Sequence, residues 1–119
     1  MMLSRRSGEI HGEIDGDSSV SGIVVVGAGA KVIRSTIHGP VVIGPESVVE
    51  DSRVGPNVSI ERECSILRST IEDSILMQGC AIEDVDRLEG SILGRNVEVR
   101  HRSEGHRLIV GDQSRLELD

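Results

Sequence analysis

Three kinds of residue in this 119-residue chain have the types and spacing that could do chemistry: four histidines (His11, His38, His101, His106), two cysteines (Cys64, Cys80) and the glycines of VVVGAGAKV (Gly27, Gly29). A histidine serves as general base or metal ligand because its proton comes off near neutral pH. His101 and His106 share the string RHRSEGHR, yet neither they nor His11 has a third ligand at metal-binding spacing. Cys64 and Cys80 form no C-x-x-C pair and have no histidine partner, so they read as reduced structural thiols. The glycines follow a strand-like run as a dinucleotide loop would, but the third glycine position is Val32 and no amphipathic helix follows. P-loop lysine, G-x-S-x-G and H-E-x-x-H motifs do not occur. No metal, cofactor or catalytic set is therefore assigned from spacing, and the elements that would hold these residues become the question.

Composition narrows those elements. Phe, Tyr and Trp are absent, while Val (15) and Ile (13) outnumber Leu (8). β-branched side chains are stiff at χ1 and suit a pleated strand, so an all-β protein is expected. A net charge of −7 repels phosphate backbones, and without aromatics there is no stacking platform, which argues against nucleic acid as a partner. No apolar run reaches the ~18 residues of a membrane span, and the N-terminus has no signal-peptide core, so a cytoplasmic protein without a membrane partner is expected.

The aliphatic residues recur with a period of seventeen. Val26, Ile43, Ile60 and Met77 form one series, resumed after a one-residue deletion by Leu93 and Val110. Four residues behind each comes a slim side chain: Ala30, Ser47, Cys64, Ala81, Val97 and Ser114. Further series run Val32, Val49, Ile66, Ile82, Val99, Leu116; then Val20, Ile37, Val54, Ile71, Leu88; then Val24, Val41, Val58, Ile75. Three strand-length segments per repeat, each ending in turn-prone residues, predict triangular coils stacked as parallel sheets with neighbouring strands ~4.8 Å apart. An interior that narrow has no room for aromatics. On this register Cys64 points inward and Cys80 outward with Gly29, Glu46 and Glu63, so no disulfide is expected. Ser18, Ser35, Ser52 and Ser69 are placed outward, preceded by Asp17, Arg34, Asp51 and Arg68, whose alternating signs would disfavour a slip of one coil. The aliphatic spacing breaks between Val99 and Leu108, which predicts a loop excursion over 100–107.

Segments such as VGAGAK, IGPESV, VGPNVS and IERECS resemble the hexapeptide repeats of left-handed parallel β-helices, and the handedness is implied by that resemblance alone. The longer string SRVGPNVSIERECSILRSTIEDSILMQGCAIEDVDRLEGSILGRNVEVR, with RLIVGDQSRLEL after it, is similar to the C-terminal β-helix of actinomycete-type glucose-1-phosphate thymidylyltransferases. The resemblance implies a parent reaction of dTTP with glucose 1-phosphate giving dTDP-glucose and pyrophosphate, with Mg²⁺ as the parent's metal. The Gly-rich loop G-x-G-T-R-L-x-P-x-T of that family's N-terminal domain is not in these residues, so no catalytic residue carries over. The expected organisation is an N-terminal cap or chain boundary over 1–9 and a single β-helix domain over 10–118. Its expected role is domain packing and oligomerisation, with a separate N-terminal catalytic domain or further copies as partners. One alternative is a hexapeptide acyltransferase or γ-carbonic-anhydrase-like trimer, in which His38, just past the corner Ile37, would act as general base at a subunit groove. The other is a free-standing or engineered β-solenoid.

Overall fold

The computed structural model describes residues 9–106, 109–110 and 115–117, with side chains described as far as residue 100. Residues 1–8 of the expected N-terminal cap lie outside the described residues, as do Arg107, Leu108 and the stretch 111–114. The described chain is all β, a left-handed parallel β-helix as the sequence predicts. Among the described residues no helix is long and apolar enough to cross a membrane.

Each coil contributes one short strand to each of three faces. The first face stacks Glu13–Ile14, Lys31–Ile33, Val48–Glu50, Ser65–Leu67, the start of Ala81–Glu89, then Glu98–His106 and Arg115–Glu117. The second stacks Ser19–Ser21, Thr36–His38, Arg53–Val54, Thr70–Glu72 and the end of Ala81–Glu89. A separate six-stranded sheet makes the third, from Val24–Val26 through Val41–Ile43, Val58–Ile60, Ser74–Leu76 and Ile92–Leu93 to Ile109–Val110. Every pairing is parallel, because each strand meets the same position of the next coil.

The corners explain why such short strands suffice. Left-handed backbone recurs at three corners: Arg34, Asp51, Arg68 and Asp84; Gly29, Glu46, Glu63, Gly79 and Asn96; and Asn57, Asp73 and Gly90, with Gly22 one place before that register. A single αL residue turns an extended chain sharply, and Gly, Asn and Asp adopt it at least cost. Three such turns per coil close a triangle. Coil packing is tight at these turns: a Cβ on Gly44 would lie 2.5 Å from the Glu61 carbonyl carbon and 2.6 Å from the Arg62 nitrogen.

The interior is a stack of aliphatic columns, and the residue at which the period changes is one coil earlier than the sequence reading places it. Leu76, not Met77, pairs with Ile60 and is fully buried, while Met77 is 37% exposed. Ser74 replaces Ile75 above Val58, and Cys80 replaces Ala81 above Cys64. The deletion falls between Ile71 and Ser74, just before a run, SILM, in which any of three residues is greasy enough to face inward. A slip of one residue exchanges inward for outward at every position that follows, so the error ran through Cys80 and Ala81 and was reset at Ile82.

Burial of the serine column is the second correction. Ser35, Ser52 and Ser69 are buried, not outward. Each hydroxyl donates to the carbonyl two residues back (Ile33 at 2.7 Å, Glu50 at 2.8 Å, Leu67 at 2.8 Å). Each also accepts the N–H of the next coil: Ser18 from Ser35 at 3.0 Å, Ser35 from Ser52 and Ser52 from Ser69 at 3.1 Å, and Ser69 from Val85 at 3.0 Å. The ladder satisfies backbone N–H groups at a corner where no strand partner reaches them, which is the condition for burying a hydroxyl without loss. Ser74 and Ser91 repeat the device at another corner, and Ser47 with Cys64 at the third.

The stretch 100–106 is backbone of the strand Glu98–His106, paired in parallel with Ala81–Glu89 and shifted by a bulge between Val85 and Arg87. A bulge absorbs one extra residue without leaving the sheet, so the break in spacing is taken up in the coil itself where a projecting loop was expected.

Candidate functional site

His38 lies on an exposed outward position of the strand Thr36–His38, with Nδ1 2.9 Å from Ser21 Oγ of the preceding coil. Its other neighbours in the column are Gly55 and Glu72, so it faces outward from the sheet. His11 is exposed, its Nε2 3.2 Å from Glu9 Oε1. The side chains of His101 and His106 lie outside the described residues.

Cys64 and Cys80 are both free and buried, stacked in the column of slim side chains. Cys64 Sγ donates to the Met77 carbonyl at 3.1 Å and Cys80 Sγ to the Gly94 carbonyl at 3.0 Å. The neighbouring thiol and burial together push the Cys64 thiol well above its ordinary range. The same contact with Cys64 lowers the Cys80 thiol against its own burial, and what marks both as core groups is that burial. Among the described residues no group of three or more His, Cys, Asp or Glu is arranged to hold a metal ion. The Mg²⁺ implied for the longer enzymes finds no fitting carboxylate set among these described residues.

The charged residues sort to the corners and two of the faces. Arg34 grips Asp51 (Nε to Oδ1, 2.7 Å) and Glu50 (2.6 Å), and Arg68 grips Asp84 (2.6 Å) and Glu83 (2.9 Å) in the same manner two coils on. The Arg34 guanidinium holds the Asp51 carboxyl below the usual carboxylate range. Of the expected alternating ladder the Arg34–Asp51 rung is realised, while Arg68 turns to Asp84, outside the expected series, and in place of Asp17 the Arg34 backbone N–H donates to Asp15, at 3.1 and 3.2 Å. The Ser18 hydroxyl, 2.6 Å from Asp15, and that N–H lower the Asp15 pKa.

The six-stranded face differs. Its strands bury their first and last residues and turn only the middle one outward, so a single column faces solvent: Val25, Val42, Ser59, Ile75 and Ile92. Val42 is 45%, Ile75 45% and Ile92 47% exposed, with Ile23 at 53% along the edge. A shallow groove of about 280 Å³ runs beside this column over Ile23, Pro40, Val42, Asn57 and Ile75. A second of about 410 Å³ continues it from Asn57 and Ile75 to Gly90 and Ile92. The sequence reading tracked the inward columns and missed this one; its signal was the aliphatic at the middle of VVV, VVI, SIL and SIL.

Together these features define a class: a hexapeptide-type parallel β-helix whose seventeen-residue period builds the column and which presents one apolar face. The sequence matches the GMPPB C-terminal domain family over residues 37–117, and the chain belongs to that family. It is 43% identical over 112 residues to a glucose-1-phosphate thymidylyltransferase of Streptomyces antibioticus, covering 92% of this chain and 32% of that protein. It is 36% identical over 121 residues to one of Streptomyces griseus, covering 99% of this chain and 34% of that protein. A glucose-1-phosphate adenylyltransferase of Shewanella sp. (strain ANA-3) is 36% identical over 92 residues, 77% of this chain and 19% of its own length. The chain thus spans about a third of the thymidylyltransferases it matches, in their C-terminal part.

Proposed function

We propose that this chain is the non-catalytic β-helix module of a sugar-1-phosphate nucleotidylyltransferase, one that converts dTTP and glucose 1-phosphate to dTDP-glucose and pyrophosphate. The supporting observation is the match of nearly the whole chain to the C-terminal third of two thymidylyltransferases, joined to a fold whose polar groups are spent on its own ladders. In this reading the reaction, and the Mg²⁺ it uses, belong to a preceding nucleotidyltransferase domain. The module packs against that domain and organises the subunits. Two buried free thiols fit a reducing cytoplasm. The chain alone, given dTTP, glucose 1-phosphate and Mg²⁺, is expected to release no pyrophosphate, whereas a protein joining it to such a domain is expected to do so. Turnover by the chain alone would overturn the proposal, as would an inactive joined protein whose catalytic domain works with a relative's β-helix.

A further inference from the structure

Sulfur occupies two successive levels of the slim interior column, which runs Ala30, Ser47, Cys64, Cys80 and Val97, each at most 1% exposed. Ser47 shows what this place asks of a polar side chain. Its hydroxyl donates to the Glu61 carbonyl at 2.9 Å, and the two thiols donate in the same way to the carbonyls of Met77 and Gly94. A hydroxyl does that work better, because a thiol is a weak donor. What two neighbouring sulfurs add is a bond to each other. A Cys80 turned outward excluded such a bond; the sixteen-residue step that brings Cys80 inward, above Cys64, removes that ground.

We infer that Cys64 and Cys80 are a redox pair, joined as a disulfide between adjacent coils when the chain folds in the presence of an oxidised low-molecular-weight disulfide. The backbone holds the two in register: the Ser65 N–H donates to the Cys80 carbonyl at 2.8 Å, and Ser65 pairs with Ala81. Residues stacked in neighbouring parallel strands have Cα atoms ~4.8 Å apart, inside the roughly 4.4–6.8 Å that a disulfide spans. Both side chains point into the same interior, and the influence of each thiol on the other's proton sets the sulfurs beside one another. The bond forms by two exchanges. A thiolate of the chain attacks the small disulfide, making a mixed disulfide and releasing one small thiol; the second cysteine then attacks the protein sulfur of that mixed disulfide and releases the other. The two cysteines together lose two electrons and two protons, and the reagent gains them. With each sulfur 1% exposed, the folded chain is closed to such reagents, so the bond is made or missed during folding and the native fold preserves the outcome. A bridge removes freedom from the unfolded chain, so the chain that folds oxidised is the more stable one.

Refolding tests this. The whole chain is unfolded in urea, diluted into buffers spanning ratios of reduced to oxidised glutathione, blocked with iodoacetamide and cut with trypsin, which leaves Cys64 in the peptide Glu63–Arg68 and Cys80 in Ser69–Arg87. As oxidised glutathione rises, these two peptides are expected to appear joined within one chain, with the native far-ultraviolet spectrum and a higher melting temperature that dithiothreitol in the refolding buffer abolishes. Cys80→Ser gives this level of the column the hydroxyl that Ser47 already carries, and is expected to fold and to lose the redox dependence of the melt. Cys80→Ala combined with Ala81→Cys moves the thiol one residue, to the outside of the first face, and is expected to give no joined peptides. A chain that refolds natively with free thiols at every ratio, a bridged chain that melts lower or lacks the native spectrum, or a moved thiol that bridges as readily overturns the inference. None of these readouts involves pyrophosphate release, so the redox inference and the proposed reaction fail separately.

Discussion

Cys80 lies directly above Cys64 in the interior of the β-helix, sixteen residues along the chain where most of the repeat is seventeen, as the pairing of Ser65 with Ala81 records. Two buried thiols in one column cannot both ionise at moderate cost, and burial alone already favours the neutral form. The Cys64 thiol is raised above its ordinary value, so the folded chain holds protons that the unfolded chain releases near pH ~8.5. The Cys64 contribution is therefore full below that pH and falls as pH rises beyond it, offset in part by Cys80, whose folded pKa the contact with Cys64 lowers. Thermal melts from pH 7 to 10.5 should show this loss, and Cys64→Ala should flatten it. Neither thiol should react with an aromatic disulfide reagent until the chain is unfolded; rapid reaction in the native state would contradict their burial.

Asp51 and Asp15 carry the opposite dependence. Their folded pKa values are depressed, by Arg34 and by Ser18 respectively, so their contribution is present above the unfolded value near 3.8 and lost as pH falls below it. Melting temperature measured from pH 6 to 3 should drop less steeply in Asp51→Asn than in the native chain. Added salt should shrink the difference, since the Arg34 and Asp51 side chains are 50% and 39% exposed and screened by ions. An acid limb unchanged by Asp51→Asn would show that the pair does not couple to folding.

The serine ladder makes a sharper claim. Ser52→Ala leaves the Ser69 N–H buried without its acceptor and removes the bond to the Glu50 carbonyl. Such a loss costs ~1–3 kcal/mol. Ser59→Ala, on the solvent-facing column, is the matched control and should be near neutral. Urea denaturation of both variants checks the contrast, and equal stabilities would remove the structural role assigned to the ladder.

Gly44 tests the closeness of the coils. A methyl group there meets the backbone at Glu61 and Arg62 at 2.5 and 2.6 Å, and backbone does not rotate aside as a side chain would. Gly44→Ala should lower the melting temperature, while Gly16→Ala, where nothing lies within 4 Å of an added Cβ, should not. Comparable melting temperatures would mean the coils separate more readily than this geometry implies.

The architecture was legible because it repeats. Seventeen-residue spacing among Val26, Ile43 and Ile60 gave the triangular coil, the inward columns and the absence of room for aromatics, since a repeated position votes many times for its own burial. What repeats less was read less well. Where the chain drops a residue, Ser74 to Met77 offers aliphatics on both phases, and pattern alone has no means to choose between Leu76 and Met77. A column of hydroxyls such as Ser35, Ser52 and Ser69 reads as solvent-facing, and only the stacking of the coils brings the next coil's N–H to each one. The outward placement of His38 followed directly from the buried Ile37 beside it. The apolar face escaped notice because Val42, Ile75 and Ile92 sit one residue from core positions, and a greasy residue beside a core residue looks like more core.

That ambiguity supplies the last prediction. If the period were unbroken up to Met77, Ala81 would fill the interior column with Ala30, and a phenylalanine at either site would be equally disruptive. In the structure Ala30 is fully buried and Ala81 only half-buried, with Cys80 in the interior place. Ala30→Phe forces a large ring into a closed column and should cost ~1–3 kcal/mol or more. Ala81→Phe places the same ring on the outside of the first face, between Ser65 and Glu98, and should cost much less. Cys80→Phe should behave like Ala30→Phe. Urea midpoints of the three variants read the register directly: an Ala81→Phe as damaging as Ala30→Phe, with Cys80→Phe tolerated, would return the deletion to the position the seventeen-residue count alone suggests.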